Sequence, residues 1–243
     1  MKILSWDVGI YNLSYCILEI NEDKTIKILS WDIVNLVDNE NMKKNRNLLF
    51  ENIPRKLYEI PELLNVDIVV IENQPSLKNP QMKSIQMILY SYFLILGKVI
   101  GNGNNSSSYI ETIEFCSASN KLKVYDGPKI VLSEKKTRKN KTTEKVDEII
   151  KDKNVEIKDK DIKIKDIEIK DVEIKDVEIK EDKKGSALKY ADKKRLAIEH
   201  AKYFLEKQEP VYLEFFNNHK KKDDLADSFL QGIYYLKNKK VTK

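Results

Sequence analysis

Carboxylates at the ends of apolar segments are the side chains of this sequence best suited to chemistry. Asp7 follows the mostly apolar run 3–6 and precedes a tight turn at Gly9, and Glu72 follows the mostly apolar run 66–71. Both runs are typical of short buried strands. A carboxylate at the end of such a strand is costly to bury unless a partner offsets its charge, and a divalent cation is one of the few partners that keep it ionised.

A second acidic group lies far along the sequence. Asp224 and Asp227 are three residues apart at the start of a predicted helix, so they share one face of its first turn. Acids at a helix start also cap free amides and complement the helix dipole, which accounts for Asp223 or Asp224 taken singly. Asp227 fits that role less well, and two negative charges at one spot favour a cation between them.

Hard carboxylate oxygens gathered from distant segments suit one reaction class in particular. Mg²⁺ is held by a few carboxylates together with water and substrate phosphate, which leaves positions open for in-line attack by water on a phosphodiester. One of two such ions would generate the hydroxide, and the other would stabilise the leaving 3′-oxygen. The acids therefore predict metal-dependent phosphodiester hydrolysis.

Strands and helices in alternation must bring these acids together. The pattern predicts an α/β protein whose first three strands form a meander. The strands expected after the first are 12–20, 25–36, 66–71 and 109–117, and the helices expected are 43–59 with Pro54 inside it, 80–98, 187–207 and 222–237. The helix at 80–98 has an apolar face wider than one sheet needs, so either a second copy of the chain covers it or it is simply buried.

The composition sets broad limits on partners and compartment. The formal net charge of +5 permits a polyanionic partner without requiring one. No run of about 18 apolar residues and no signal-peptide pattern occur, so we expect no membrane span and an intracellular protein. Cys16 and Cys116 do not form a metal-ligand spacing, and we expect both to be buried free thiols.

Residues 133–186 interrupt the α/β pattern with a low-complexity segment. Five-residue units such as Asp-Val-Glu-Ile-Lys recur between 151 and 180, and their period matches neither a helix nor a strand. Charges of both signs are dense there and aromatic residues are absent, which is typical of disorder. We therefore predict one domain made of residues 1–132 and 187–243, with a disordered insertion at 133–186.

Three short motifs stand in a fixed order along the chain. They are Trp6-Asp-Val-Gly in the first strand, Ile71-Glu-Asn-Gln-Pro75 at the fourth, and Lys222-Asp-Asp-Leu-Ala-Asp-Ser228 at the start of the last helix. This order resembles that of RuvC-like Holliday junction resolvases of the poxvirus type. The resemblance implies a ribonuclease H-like fold, with a mixed five-stranded sheet flanked by helices. It also implies a homodimer that incises four-way DNA junctions in symmetric pairs during recombination or replication, in the host cytoplasm at sites of viral replication.

The resemblance also assigns roles to particular residues. Asp7, Glu72, Asp224 and Asp227 match the acids of the family that bind Mg²⁺ or Mn²⁺, two ions in each active site, whereas the role of Asp223 stays open. The family uses a lysine near the scissile phosphate after the fifth strand. Lys121 is the best match for it and Lys123 is the alternative. Such a lysine would act as a point charge on the phosphate in the transition state.

Other functions fit parts of the sequence. An actin-like or sugar-kinase-type ATPase also begins with Asp-x-Gly after a strand, but Asp126-Gly127 lacks the spacing and strand context of the second such motif. A junction-binding protein without cleavage is a further alternative, although acids without a metal would repel one another and the phosphate backbone. His219 could assist a water molecule near the acidic helix, and a plain surface histidine is the simpler interpretation.

Overall fold

The computed structural model describes residues 1–77, 79–101, 109–130 and 189–238. The predicted low-complexity insertion at 133–186 lies outside these residues, so its disorder and the domain bounds drawn from it stay predictions. The segments before and after it belong to one compact unit that extends over Met1–Leu132 and Leu188–Lys243.

Five strands of the described chain form one mixed sheet, as the sequence predicts. They are β1 Lys2–Val8, β2 Asn12–Ile20, β3 Ile26–Asn35, β4 Ile68–Asn73 and β5 Thr112–Ser117. Their order across the sheet is β3-β2-β1-β4-β5. The first three strands form the antiparallel meander, whereas β4 pairs in parallel with β1 and with β5. Parallel neighbours end at the same edge of a sheet, so the carboxyl ends of β1, β4 and β5 lie side by side.

A tight turn at Gly9 joins β1 to β2. A Cβ atom on Gly9 would lie 2.5 Å from the backbone oxygen of Asn12. Only glycine therefore fits there without a shift of the turn. The resulting hairpin places Asp7 opposite Ser14 in the strand register.

Helices from the middle of the chain cover one face of the sheet, which carries Leu4, Trp6 and Ile71. They are α1 Glu40–Lys44, α2 Arg46–Tyr58, a 3₁₀ helix Pro61–Leu64, and α3 Pro80–Tyr92, which continues as a π-helical segment Phe93–Ile100. The single helix predicted at 43–59 is thus two helices. Asn45 separates them because its side chain caps α2 by accepting hydrogen bonds from two backbone N–H groups of the first turn.

The opposite face is covered by helices that follow the insertion. They are α4 Tyr190–Gln208, α5 Val211–Asn218 and α6 Lys222–Asn238. Helix α5 is absent from the predicted elements, although Pro210 at its start is a residue that suits the beginning of a helix. Helix α6 lies directly on the sheet, where a Cβ atom on Gly232 would come within 2.7 Å of Leu18 Cδ1.

The segment Pro80–Ile100 is also long enough and apolar enough to span a membrane, with a mean hydropathy of 1.2. A helix that packs on the core of a soluble protein has the same composition. In this fold Ile85, Leu89 and Phe93 of the segment are fully buried within the core that covers the sheet. Of the most apolar 18 residues in this segment, 33% are buried. The expectation of no membrane span stays a prediction.

Candidate active site

The ammonium group of Lys121 lies among three of the predicted acids. Its Nζ atom is 2.6 Å from Asp7 Oδ1 and 3.0 Å from Glu72 Oε1. Asp227 Oδ2 lies 3.2 Å from the same nitrogen. Only 4% of the Lys121 surface is exposed, so these contacts replace nearly all of its hydration. The structure therefore brings together residues from the start, middle and last described helix of the chain around one buried cation.

The sheet explains why these side chains meet. Asp7 on β1 and Glu72 on β4 lie at the carboxyl ends of neighbouring parallel strands, where Trp6 is in register with Ile71. Alternation along each strand turns both carboxylates toward the face that α6 covers. The chain leaves β5 directly into a 3₁₀ helix, Ala118–Val124, which places Lys121 above the same edge. The sequence predicts that Glu72 directly follows the strand 66–71. In the structure β4 begins and ends two residues later than predicted, so Glu72 lies inside the strand.

The remaining predicted acids lie beside this group. Asp224 stands one helical turn before Asp227 on α6, with its Oδ2 atom 3.9 Å from Lys221 Nζ. Asp223 forms an ion pair with Lys194 of α4. Burial opposes ionisation of Asp223, and the hydrogen bond from Lys194 nevertheless holds its pKa below the ordinary value. Asp223 therefore joins α4 to the start of α6.

The structure distinguishes the two lysine candidates. Lys123 is exposed, and its ammonium donates to Asn120 Oδ1 at 2.9 Å. Lys121 alone of the two contacts the acids. His219 accepts a hydrogen bond from the backbone N–H of Lys221 through Nδ1 at 3.0 Å, which fits the interpretation as a surface histidine.

Burial and repulsion make Glu72 hard to ionise. Burial is the largest cause, the negative charge of Asp7 adds to it, and together they raise the pKa of Glu72 to about 8. Lys121 opposes this shift through its charge and hydrogen bond. One lysine thus compensates only part of the negative charge of the site.

Burial and the neighbouring charges also shift the pKa values of Asp227, Asp224 and Lys121. Burial, then the charge of Asp7, raises the pKa of Asp227 to about 6 against the attraction of Lys121. Burial, with the charges of Asp223 and Asp7, also raises the pKa of Asp224. Burial alone would lower the pKa of Lys121, but the surrounding carboxylates raise it well above the ordinary value. Lys121 therefore stays protonated, and the site is short of positive charge.

These shifts predict how stability depends on pH when metal is absent. Glu72 ionises near its usual value of 4.5 in the unfolded chain and near about 8 in the folded chain, so a rising pH favours unfolding across this range. We expect the free energy of unfolding in EDTA to fall from pH 5 to pH 8. Urea unfolding followed by circular dichroism measures it, and Glu72→Gln should flatten the decline. A variant with the slope of the original protein would contradict the assignment.

Hydrogen bonds around the site involve residues that the sequence did not single out. Ser14, opposite Asp7 in the strand register, lies with its Oγ 2.8 Å from Ser228 Oγ, next to Asp227 on α6. The indole N–H of Trp31 donates to the Leu225 carbonyl at 3.1 Å. Gln74 donates to Glu72. A signal for Gln74 was available in the motif, because a residue two positions after Glu72 lies on the same side of an extended chain.

The carboxylate oxygens of the site are the kind of donor that suits a hard divalent cation, but their spacing around Lys121 does not form a complete metal site. Within the described ranges, no group of three or more Asp, Glu, His and Cys side chains is placed to hold a metal ion. The ammonium of Lys121 takes the central position among the carboxylate oxygens. Those oxygens are the ligands that Mg²⁺ and Mn²⁺ prefer, and their raised pKa values show that more positive charge would be stabilising.

The first part of the chain matches a known protein family. Residues 1–100 match the family model described as Poxvirus A22 protein. An uncharacterized protein of Acanthamoeba polyphaga mimivirus is 31% identical over 188 residues, which are 76% of this chain and 33% of that protein. The chain thus spans about a third of the length of this relative.

Comparison with solved structures identifies the fold. The Holliday junction resolvase of fowlpox virus matches with a TM-score of 0.50 and 16% identity, over 98% of this chain and 99% of that one. The yeast mitochondrial Holliday junction resolvase Ydc2 matches with a TM-score of 0.50 and 16% identity, over 96% of this chain and 78% of that one. The predicted resemblance is confirmed: the chain has the ribonuclease H-like fold of the poxvirus-type resolvases, and its first 100 residues match the Poxvirus A22 protein family.

Proposed function

We propose that this chain is a metal-dependent endonuclease that resolves four-way DNA junctions by paired incisions. The observation that carries the proposal is the meeting of Asp7, Glu72 and Asp227 around Lys121 at the carboxyl edge of the sheet. Repelling acids from such distant segments are costly to gather for stability alone. The matching structures of the same fold are Holliday junction resolvases by name, and one of them is a complex with junction DNA.

Asp7, Glu72, Asp224 and Asp227 are the residues that would hold Mg²⁺ or Mn²⁺, two ions in each site. Bound there, the metal would supply an activated water and charge stabilisation for phosphodiester hydrolysis. Glu72 is buried and the other three acids are half-buried, so water competes weakly for these oxygens. The raised pKa of Glu72 also implies that metal binding releases a proton near neutral pH.

Lys121 has two parts in this proposal. In the metal-free chain its ammonium offsets the charges of the acids and keeps them together. With DNA present, the same ammonium would stabilise the negative charge that develops on the attacked phosphate. A fixed positive charge beside the attacked phosphorus lowers the barrier without any proton transfer.

Contacts with the DNA arms would be made by basic residues around this edge. Lys220 and Lys221 are exposed just before α6, and Lys193 lies on the first turn of α4. Lysines of this kind bind phosphates and carry no base preference, so recognition would depend on the shape of the junction. Lys194 is less available, because it is paired with Asp223.

Paired incision requires two active sites, and an apolar surface on α3 fits a second copy of the chain. Ile95, Val99 and Ile100 of the segment after α3 are 51%, 63% and 45% exposed. A cavity of about 460 Å³ opens beside them, lined by Pro54, Met87, Ile88, Ser91, Tyr92, Ile95 and Leu96. Exposed apolar side chains beside an apolar cavity are typical of an interaction surface, and a second copy of the chain would cover this one.

A negative charge introduced on this apolar surface by substitution should separate the two copies of the chain. Ile95→Asp would place a carboxylate in the centre of the interface without touching the buried side of the helix. We expect sedimentation velocity to show a dimer for the original protein and a monomer for Ile95→Asp. Val211→Asp is the matched control, because Val211 is 84% exposed on α5 and should leave the dimer intact. A monomeric original protein would contradict the dimer.

The function is tested with the purified protein and a mobile four-way junction labelled on each strand in turn. In Mg²⁺ we expect nicks at symmetric positions on two opposing strands, which yield two nicked duplexes that a ligase can seal. EDTA should stop the reaction and leave junction binding in gel-shift assays. Tight binding without nicks in Mg²⁺ or Mn²⁺ would replace the nuclease with a junction-binding protein.

A further inference from the structure

The side chain of Gln74 holds the oxygen of Glu72 that does not face Lys121. Gln74 Nε2 donates to Glu72 Oε2 at 2.7 Å, while Lys121 donates to the other oxygen, Oε1, at 3.0 Å. The backbone N–H of Val8 approaches Oε2 as well, at 3.4 Å. The carboxylate is therefore held from two sides, which fixes its rotation and leaves Oε1 directed at the centre of the site.

The local sequence explains why Gln74 reaches Glu72. Side chains two residues apart in an extended chain lie on the same side. β4 ends at Asn73, and the proline that follows Gln74 keeps Gln74 out of the helical region, so the extended geometry continues for one more residue. Gln74 is 8% exposed, which leaves its amide almost entirely to partners within the protein.

A separate bond anchors the backbone of Gln74. Its N–H donates to Gln86 Oε1 at 2.9 Å, and Lys83 donates to the same oxygen at 3.1 Å. Gln86 is fully buried on α3. The connection between this segment and α3 thus depends on the main chain of Gln74, whereas the Gln74 side chain is left to serve Glu72. A substitution of the side chain alone should separate the two roles.

We propose that Gln74 is a positioning residue for the nuclease reaction, which orients the Glu72 carboxylate toward the metal and the other acids. This inference rests on the proposed function. Gln74 acts through Glu72, because its amide is buried and donates to that carboxylate. Carboxylate ligands that are fixed by a hydrogen bond bind metal in one orientation, and the loss of such a bond commonly costs 10- to 100-fold in metal affinity or rate.

The test compares Gln74→Met with Asn73→Ala in the full chain. Methionine keeps the length of the side chain and removes the donor. Asn73 is the neighbouring residue, exposed on the other side of the strand, so its variant controls for changes in the loop. Three quantities are measured: the single-turnover nicking rate with saturating enzyme, junction affinity in EDTA, and Mn²⁺ affinity by titration calorimetry without DNA. The melting temperature in EDTA reports the fold.

For Gln74→Met we expect a nicking rate and a Mn²⁺ affinity that are each lower by roughly 10- to 100-fold. Junction affinity and melting temperature should stay near those of the original protein, and Asn73→Ala should match the original in every measurement. An unchanged rate and unchanged Mn²⁺ affinity in Gln74→Met would overturn the inference and leave the proposed function standing. A loss that follows a lower melting temperature would assign Gln74 to the fold and also overturn it.

The same experiment separates failure of the inference from failure of the function. If the original protein makes no nicks, the nuclease proposal falls, and the calorimetric titration alone judges Gln74. A Mn²⁺ affinity that drops in Gln74→Met but not in Asn73→Ala would then still support the positioning role. An original protein that binds no Mn²⁺ would overturn both proposals.

Discussion

Cleavage of a four-way junction is expected to fall by at least about 1,000-fold when Asp7 is replaced by asparagine. The amide keeps an oxygen that can accept the bond from Lys121, whereas the negative charge and a metal ligand are lost. Because Asp7 raises the pKa of both Glu72 and Asp227, its neutralisation also relieves repulsion within the site. We therefore expect Asp7→Asn to fold at least as stably as the original protein in EDTA.

Denaturing gels of end-labelled junctions measure the rate, and thermal unfolding measures stability. Asp32→Asn is the matched control, because Asp32 is exposed on β3 and distant in the sheet order from the site. The control should cut at the original rate. Full cleavage by Asp7→Asn would show that these acids are not the catalytic metal ligands.

Replacement of Lys121 by methionine should be the most destabilising substitution in the site when metal is absent. Methionine fills a similar volume but leaves Asp7, Glu72 and Asp227 without their shared cation. Removal of one partner from a buried ion pair costs about 3–5 kcal/mol. We expect a loss of this order in urea unfolding in EDTA, together with loss of nicking.

Metal should restore much of the stability of this variant. Ions that bind only the folded chain stabilise it by mass action, and Lys121→Met lacks the ammonium that competes for the same oxygens. We expect Mn²⁺ to raise the melting temperature of Lys121→Met by more than it raises that of the original protein. Lys123→Met is the control, since Lys123 contacts Asn120 and is exposed. If Mn²⁺ has no larger effect on Lys121→Met, then Lys121 does not occupy the place of the metal.

The sequence predicts the fold well where a local signal exists. The apolar runs that end near Asp7 and Glu72 correspond to β1 and β4, and the acidic start of α6 lies where its spacing predicts. The resemblance carried by the three motifs implies the mixed five-stranded sheet, and the structure confirms it. Cys16 and Cys116 are buried free thiols, as their apolar contexts predict.

The sequence could not predict arrangements that depend on distant contacts. Nothing local to Lys121 distinguishes it from Lys123, and burial of the former follows only from the path of the chain after β5. The pairing of Asp223 with Lys194 joins two helices that are separated by a loop and α5. Helix α5 escaped prediction because its eight residues give a short pattern beside a proline.

The acidic group around Lys121 combines Asp7 of β1, the first strand, with Asp227 of α6, the last described helix. A polypeptide still emerging from the ribosome would carry Asp7 and Glu72 well before it carries Asp227. Such a partial product would contain the five strands of the sheet and would lack one acid of the proposed active site. Under the proposed function, nicking would therefore begin only after α6 has docked on the sheet.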